Sequence, residues 1–141
     1  MVRISCDFWF EASHRLGRDE WSPEENERIF GACARLHGHS YHLRVTLRGP
    51  VDPITGMVRN FAEVKRVVHE RVIRRVDHQD LNAVVGGLTT AERITVWVAA
   101  QLLPEFGDRL YGLELWETRT ASVSLGPEEL AALQSTARAE G

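Results

Sequence analysis

From Val2 to Ala12 every even-numbered residue is apolar (Val2, Ile4, Cys6, Phe8, Phe10 and Ala12), whereas Arg3, Ser5, Asp7 and Glu11 occupy the other parity. Successive side chains of a strand point to opposite faces, so this stretch reads as a strand with one buried face, and that face needs a covering layer. His14 continues the apolar parity. The same period returns in Tyr41, Leu43, Val45 and Leu47, extends back through His39 to His37, and sets Ser40, His42, Arg44 and Arg48 opposite. Two half-buried strands therefore each carry histidine on the core-facing parity.

Between these strands, Gly17 to Gly31 is polar, with a short helix start at Ser22-Pro23-Glu24-Glu25 inside a long loop, and long loops in small domains usually carry function. Asn60 can cap a helix of about four turns, with Glu63 three places on completing something like a capping box, and Phe61, Val64, Val68 and Val72 on one face. Its end runs into Asp77-His78-Gln79-Asp80-Leu81-Asn82, which has neither helical nor strand period. A second helix starts at Thr89 or Thr90, carries Ile94, Trp97, Val98 and Leu102 on one stripe, and is expected to stop at Pro104. Tyr111, Leu113 and Leu115 then alternate up to Glu117, an acid on an otherwise apolar parity. Ala121, Val123 and Leu125 suggest a partner strand, and Pro127 opens a last short helix. The order predicts an α+β fold: a four-stranded antiparallel sheet with two helices on one face.

With 141 residues, 43% of them hydrophobic, the protein is expected to form a single domain over 1–141. No apolar run approaches the roughly 20 residues needed to cross a bilayer, and no export signal is legible, so a cytoplasmic protein is expected. Its net charge is −3 and its cations are dispersed, which gives no basic stripe for nucleic acid. In that setting a structural disulfide between Cys6 and Cys33 is not expected.

Two histidines at i and i+2 on a strand lie on one side with Cα atoms about 6.5–7 Å apart, close enough for both rings to reach one metal ion. His37-Gly38-His39 has this spacing, Gly38 removes the intervening side group, and His14 can supply a third nitrogen if the strands pair. Three imidazoles with a fourth position open describe a catalytic zinc site. Cys33 lies four residues before His37, where a folded loop could bring its thiol near a metal-bound substrate. Asp77-His78 could activate that thiol if the carboxylate orients the imidazole. Spacing alone leaves open an inert Cys33 and an ordinary loop role for Asp77-His78. Cys6, with apolar neighbours on its parity, reads as a core thiol. Glu117, a carboxylate ending an apolar face, needs donors from a ligand or from the protein itself, and a satisfied structural acid or a simple strand end is the alternative. His42 and His69 read as surface or packing residues.

Taken together, Phe10-Glu11-Ala12-Ser13-His14-Arg15-Leu16, Cys33-Ala34-Arg35-Leu36-His37-Gly38-His39-Ser40-Tyr41, Gly56-Met57-Val58, Asp77-His78-Gln79-Asp80-Leu81-Asn82, Thr90-Ala91-Glu92 and Glu117-Thr118 resemble the 6-pyruvoyltetrahydropterin synthase and 6-carboxytetrahydropterin synthase family nearly end to end. The resemblance implies the tunnelling fold, zinc on His14, His37 and His39, and proton transfer by Cys33, Asp77 and His78. It also implies a pterin anchored by Glu117 with Thr118 and Thr90 as further substrate contacts. The substrate would be 7,8-dihydroneopterin triphosphate. The assembly would be a hexamer, a dimer of trimers, in which the cysteine of one subunit works with the Asp and His of another. The short Cys-x-x-x-His-Gly-His spacing resembles the carboxy branch, which releases acetaldehyde and serves queuosine biosynthesis; the pyruvoyl reaction is the alternative. Outside the family, a non-catalytic zinc-binding oligomer is the rival. Asn60 stands where the family usually has Asp, and Thr89 and Arg93 stand where it usually has Pro and Asn. Arg15, Arg35 and Arg119 are the candidates for holding the triphosphate.

Overall fold

A computed structural model describes all 141 residues. Both alternating stretches form long strands, β1 (Val2–His14) and β2 (His37–Gly49). They pair antiparallel in one unbroken register that sets Phe10 opposite Tyr41, Ala12 opposite His39 and His14 opposite His37. The loop between them holds α1 (Pro23–Phe30), capped by the Ser22 hydroxyl, which accepts from the Glu25 N–H.

The helix expected after Asn60 forms as α2. It runs over Phe61–Val68, passes through a π turn at His69–Ile73 and ends with Arg74–Val76. Val64, Val68 and Val72 are buried as the period requires, whereas Phe61 stays largely exposed in the first turn. The backbone then forms a two-residue strand, β3 (Gln79–Asp80), and a single turn, α3 (Leu81–Val84). Next come α4 (Ala91–Phe106), β4 (Leu110–Thr118), β5 (Ala121–Leu125) and α5 (Pro127–Glu140).

The sheet has five strands in the order β3-β1-β2-β4-β5, one more than expected. The addition is β3, which pairs parallel to β1 through Ala12–Gln79 and Ser13–Asp80. Two residues are too few to show a period of two, so only the return of the backbone to the edge of β1 creates this strand. Pro104 does not stop α4, which continues to Phe106. Proline removes its own N–H and crowds the carbonyl four residues earlier. Here both Pro104 and Ala100 are exposed, so that carbonyl can turn to water. The helix instead ends at Gly107, whose φ of +53° suits glycine. The last helix is 14 residues long, not short, and Leu130 ties it to the core.

One core cluster of 25 residues lies between the even face of β1, the odd faces of β2 and β4, and α2 and α4. Burying aliphatic and aromatic side groups at roughly 1.5–3 kcal/mol each fixes which sheet face turns inward, and a register slip of one residue would reverse it. The other face carries Asp7, Trp9, His42, Arg44 and Trp116. On it the His42 ring is sandwiched between Trp9 and Trp116, with ring centroids 4.6 and 4.4 Å away.

Candidate metal centre

The register that buries the core also assembles the histidines. His14 and His37 face each other across the ladder and His39 lies one pair further along. Each ring offers one nitrogen to a group in which these atoms all lie within 4.8 Å of one another. Gly38 between them relieves crowding, because a Cβ there would stand 3.2 Å from the Ala12 carbonyl oxygen, closer than an ordinary contact.

His14 is 1% exposed, and its Nε2 is buried with no hydrogen-bond partner. Its Nδ1 lies 2.9 Å from the Thr89 carbonyl oxygen and 3.1 Å from the Thr89 hydroxyl. A carbonyl only accepts, so Nδ1 carries the proton and Nε2 is left with a free lone pair. At His37, Nδ1 likewise lies 2.6 Å from the Arg35 carbonyl oxygen. Burial pulls the pKa values of His14 and His39 below the ordinary histidine value. All of these features favour the neutral imidazoles that a metal ion binds. An orphaned buried nitrogen beside two more imidazoles fits a divalent ion of the zinc type.

Glu117 continues the inward face of β4, and its Oε1 stands 3.7 Å from Nε2 of both His14 and His39. Tyr41 is fully buried beneath the cluster, with its hydroxyl unpartnered. Its ring stacks on Phe10 at 4.8 Å. Burial, reinforced by the Glu117 carboxylate, keeps that phenol protonated.

Asp77 and His78 follow the end of α2. The Glu11 N–H donates to Asp77 Oδ1 (2.9 Å), and the His78 N–H donates to the Glu11 carbonyl (2.6 Å), so the pair is fastened to β1. Their side chains do meet, with His78 Nδ1 3.0 Å from Asp77 Oδ1. His78 has a φ of +58°, uncommon outside glycine, and its ring is 78% exposed. Cys33 is exposed in a short 3₁₀ turn, Gly31–Ala34, and its carbonyl accepts from the Leu16 N–H at 2.7 Å. Within the chain no hydrogen bond joins Cys33 to Asp77 or His78. Thr90 caps α4 by accepting from the Arg93 N–H, and Thr118 is exposed at the end of β4. Cys6 is buried as expected.

Residues 3–128 match the family model described as "6-pyruvoyl tetrahydropterin synthase". The chain belongs to this family. A 6-pyruvoyl tetrahydrobiopterin synthase of Dictyostelium discoideum is 39% identical over 113 residues, covering 77% of this chain and 84% of that protein. A solved 6-pyruvoyl tetrahydropterin synthase structure from Caenorhabditis elegans superposes with a TM-score of 0.81 at 31% identity, over 89% of this chain and 94% of that one. A dihydroneopterin monophosphate aldolase of Pyrococcus furiosus is 31% identical over 126 residues, 88% of this chain and 96% of that protein. The protein is thus an α+β member of a family of pterin-forming lyases, with three histidines able to hold a metal ion. No helix in it is long and apolar enough to cross a membrane.

Sequence reasoning misses Thr89, Asn82 and Tyr41 as parts of the site. Tyr41 sits on the inward parity next to His39, which is signal enough to include it. For Thr89 the sequence offers only its departure from the family pattern, because its contact with His14 spans 75 residues.

Proposed function

We propose that the protein is a zinc-dependent 6-pyruvoyl tetrahydropterin synthase that eliminates triphosphate from 7,8-dihydroneopterin triphosphate. The observation that carries this reading is the unpartnered Nε2 of His14 inside a three-histidine cluster, in a protein matched over residues 3–128 to that family. Zinc on His14, His37 and His39 would supply Lewis acidity at the hydroxyls of the substrate side chain. Glu117, at the rim of the cluster, accepts from the amino and ring N–H groups of the pterin and holds the substrate toward the histidines. Thr90 and Thr118 contact the substrate beside it. Cys33 takes a proton from a hydroxyl-bearing carbon of the side chain. Where that carbon adjoins the phosphate-bearing one, the electron pair left behind forms the enol as the C–O bond breaks and triphosphate leaves, and His78, oriented by Asp77, accepts and returns the protons.

Cys33 and His78 are both exposed and share no bond within the subunit. The reading therefore places each active site between subunits of a homo-oligomer, a hexamer built as a dimer of trimers. The helix-free sheet face, with Trp9 62% exposed, supports an assembly that encloses it. For the triphosphate, Arg35 is engaged by Glu27 at 2.8 Å. Arg15 has no carboxylate partner and lines a cleft of about 710 Å³ with Arg93, although Asp19, Glu20 and Glu27 line it too and Glu20 engages Arg18, so Arg15 is the freer of the two candidates.

A second reading, cleavage of the substrate side chain to give 6-carboxytetrahydropterin and acetaldehyde on the route to queuosine, is favoured by the Cys-x-x-x-His-Gly-His spacing and by the similarity to an aldolase. Mass spectrometry of the products formed by zinc-loaded protein from 7,8-dihydroneopterin triphosphate under reducing conditions separates the two. We expect 6-pyruvoyl tetrahydropterin and triphosphate. The carboxy product with acetaldehyde would transfer the assignment to the second reading, and no conversion would overturn both.

A further inference from the structure

We infer that Thr89 and Asn82 act as a pair of positioning residues that hold the His14 imidazole ready for a metal ion, an inference that rests on the metal-centre reading above. Thr89 is completely buried, and its carbonyl oxygen and hydroxyl lie 2.9 and 3.1 Å from His14 Nδ1. The carbonyl decides the tautomer, because it can only accept. The hydroxyl oxygen lies between two donors, His14 Nδ1–H and the Asn82 amide, whose Nδ2 is 3.3 Å away.

Asn82 also grips the residue that follows His14. Its Oδ1 accepts from the Arg15 N–H at 2.8 Å and its Nδ2 donates to the Arg15 carbonyl at 2.9 Å. Two amide hydrogens thus serve two acceptors, Arg15 O and Thr89 Oγ1, and none is left over. The end of β1 is fixed through its backbone by Asn82, the ring of His14 is fixed by Thr89, and the Asn82–Thr89 bond locks the two restraints together. The result is a buried Nε2 lone pair with no partner in the protein. Neither residue is among the three metal-holding histidines, so both act through His14. Removing such outer partners typically lowers metal affinity about 10–100-fold.

The test is zinc affinity of the metal-free full-length protein, measured by competition with a chromophoric chelator under reducing conditions, alongside the melting temperature of each metal-free protein. Thr89→Val should bind zinc about 10-fold more weakly, and Asn82→Ala about 10–100-fold more weakly, while Thr89→Ser stays within about two-fold of the parent. Should Thr89→Val fail to fold, Asn82→Asp keeps the acceptor for Arg15 and removes both amide donors, and the same loss is expected. Variants that melt lower yet bind zinc like the parent would overturn the inference, and so would a serine variant that falls with the valine one. A parent that takes up no zinc would overturn the metal centre itself, and this inference with it.

Discussion

At His14 several influences act on one ring. Burial disfavours the imidazolium most strongly, and the neighbouring His37 and His39 work in the same direction. The Thr89 bond and the Glu117 carboxylate oppose them without reversing the outcome. The acids behave differently. Arg44 donates twice to Asp7, at 2.8 and 3.0 Å, and holds its carboxyl below the ordinary aspartate value. A lowered folded-state pKa means stability that is present above the unfolded value of about 3.9 and lost as pH falls through the folded value. Asp7→Asn should therefore cost about 1 kcal/mol at pH 7, a modest figure because both partners are partly solvated. The gap to the parent should begin to narrow below about pH 4 and close only as pH falls through the lower folded value. Urea unfolding at several pH values measures it, and a gap independent of pH would show that the charge is not the cause. Among single residues, the histidines, Glu117 and the Asp77–His78 pair are legible in the sequence because each is marked by parity or adjacency. Thr89 and Asn82 are not, because a hydrogen bond between residues 67 or 75 apart leaves no local pattern.

Among the elements, α2 sets where Asp77 and His78 emerge. Its N-terminus is held by Asn60, whose amide oxygen accepts from the Ala62 N–H at 2.8 Å. Asn60→Ala should destabilise the protein by about 1 kcal/mol, whereas Asn60→Asp should match the parent or gain a few tenths, since an anion also favours the helix N-terminus. Thermal melts of the three proteins decide it, and an alanine variant as stable as the parent would show that packing alone holds this end. Near its C-terminus α2 passes through the π turn, which spaces its residues differently from an α-helix. Val72, Ile73 and Val76 nevertheless all reach the core. The apolar period of α2 is readable from the sequence. The π turn is not, because one wider turn barely disturbs a helical pattern.

For the molecule as a whole, the exposure of Cys33 and His78 makes the assembly part of the proposed chemistry. Cys33→Ala and His78→Ala should each keep zinc and each lose turnover by orders of magnitude. Co-expressed, they should recover about one quarter of the parent rate, since an interface drawing one residue from each subunit is complete in about one pairing in four. Turnover by the co-expressed sample, compared with each variant alone, tests this. No recovery would place Cys33 and His78 of the same subunit in one site.

Local pattern was enough to specify the two long strands, their buried faces, the helix starts at Asn60 and Thr90 and the residues able to bind metal, because a period of two or 3.6, a side-chain cap and the chemistry of imidazole are local properties. Three things came only from packing in three dimensions. It set the register that puts His14 opposite His37. It brought Gln79–Asp80 to the edge of β1 as a fifth strand. It closed Thr89 and Asn82 around His14. Each of these depends on segments distant in the sequence meeting across a packed core, and neither periodicity nor composition carries that information.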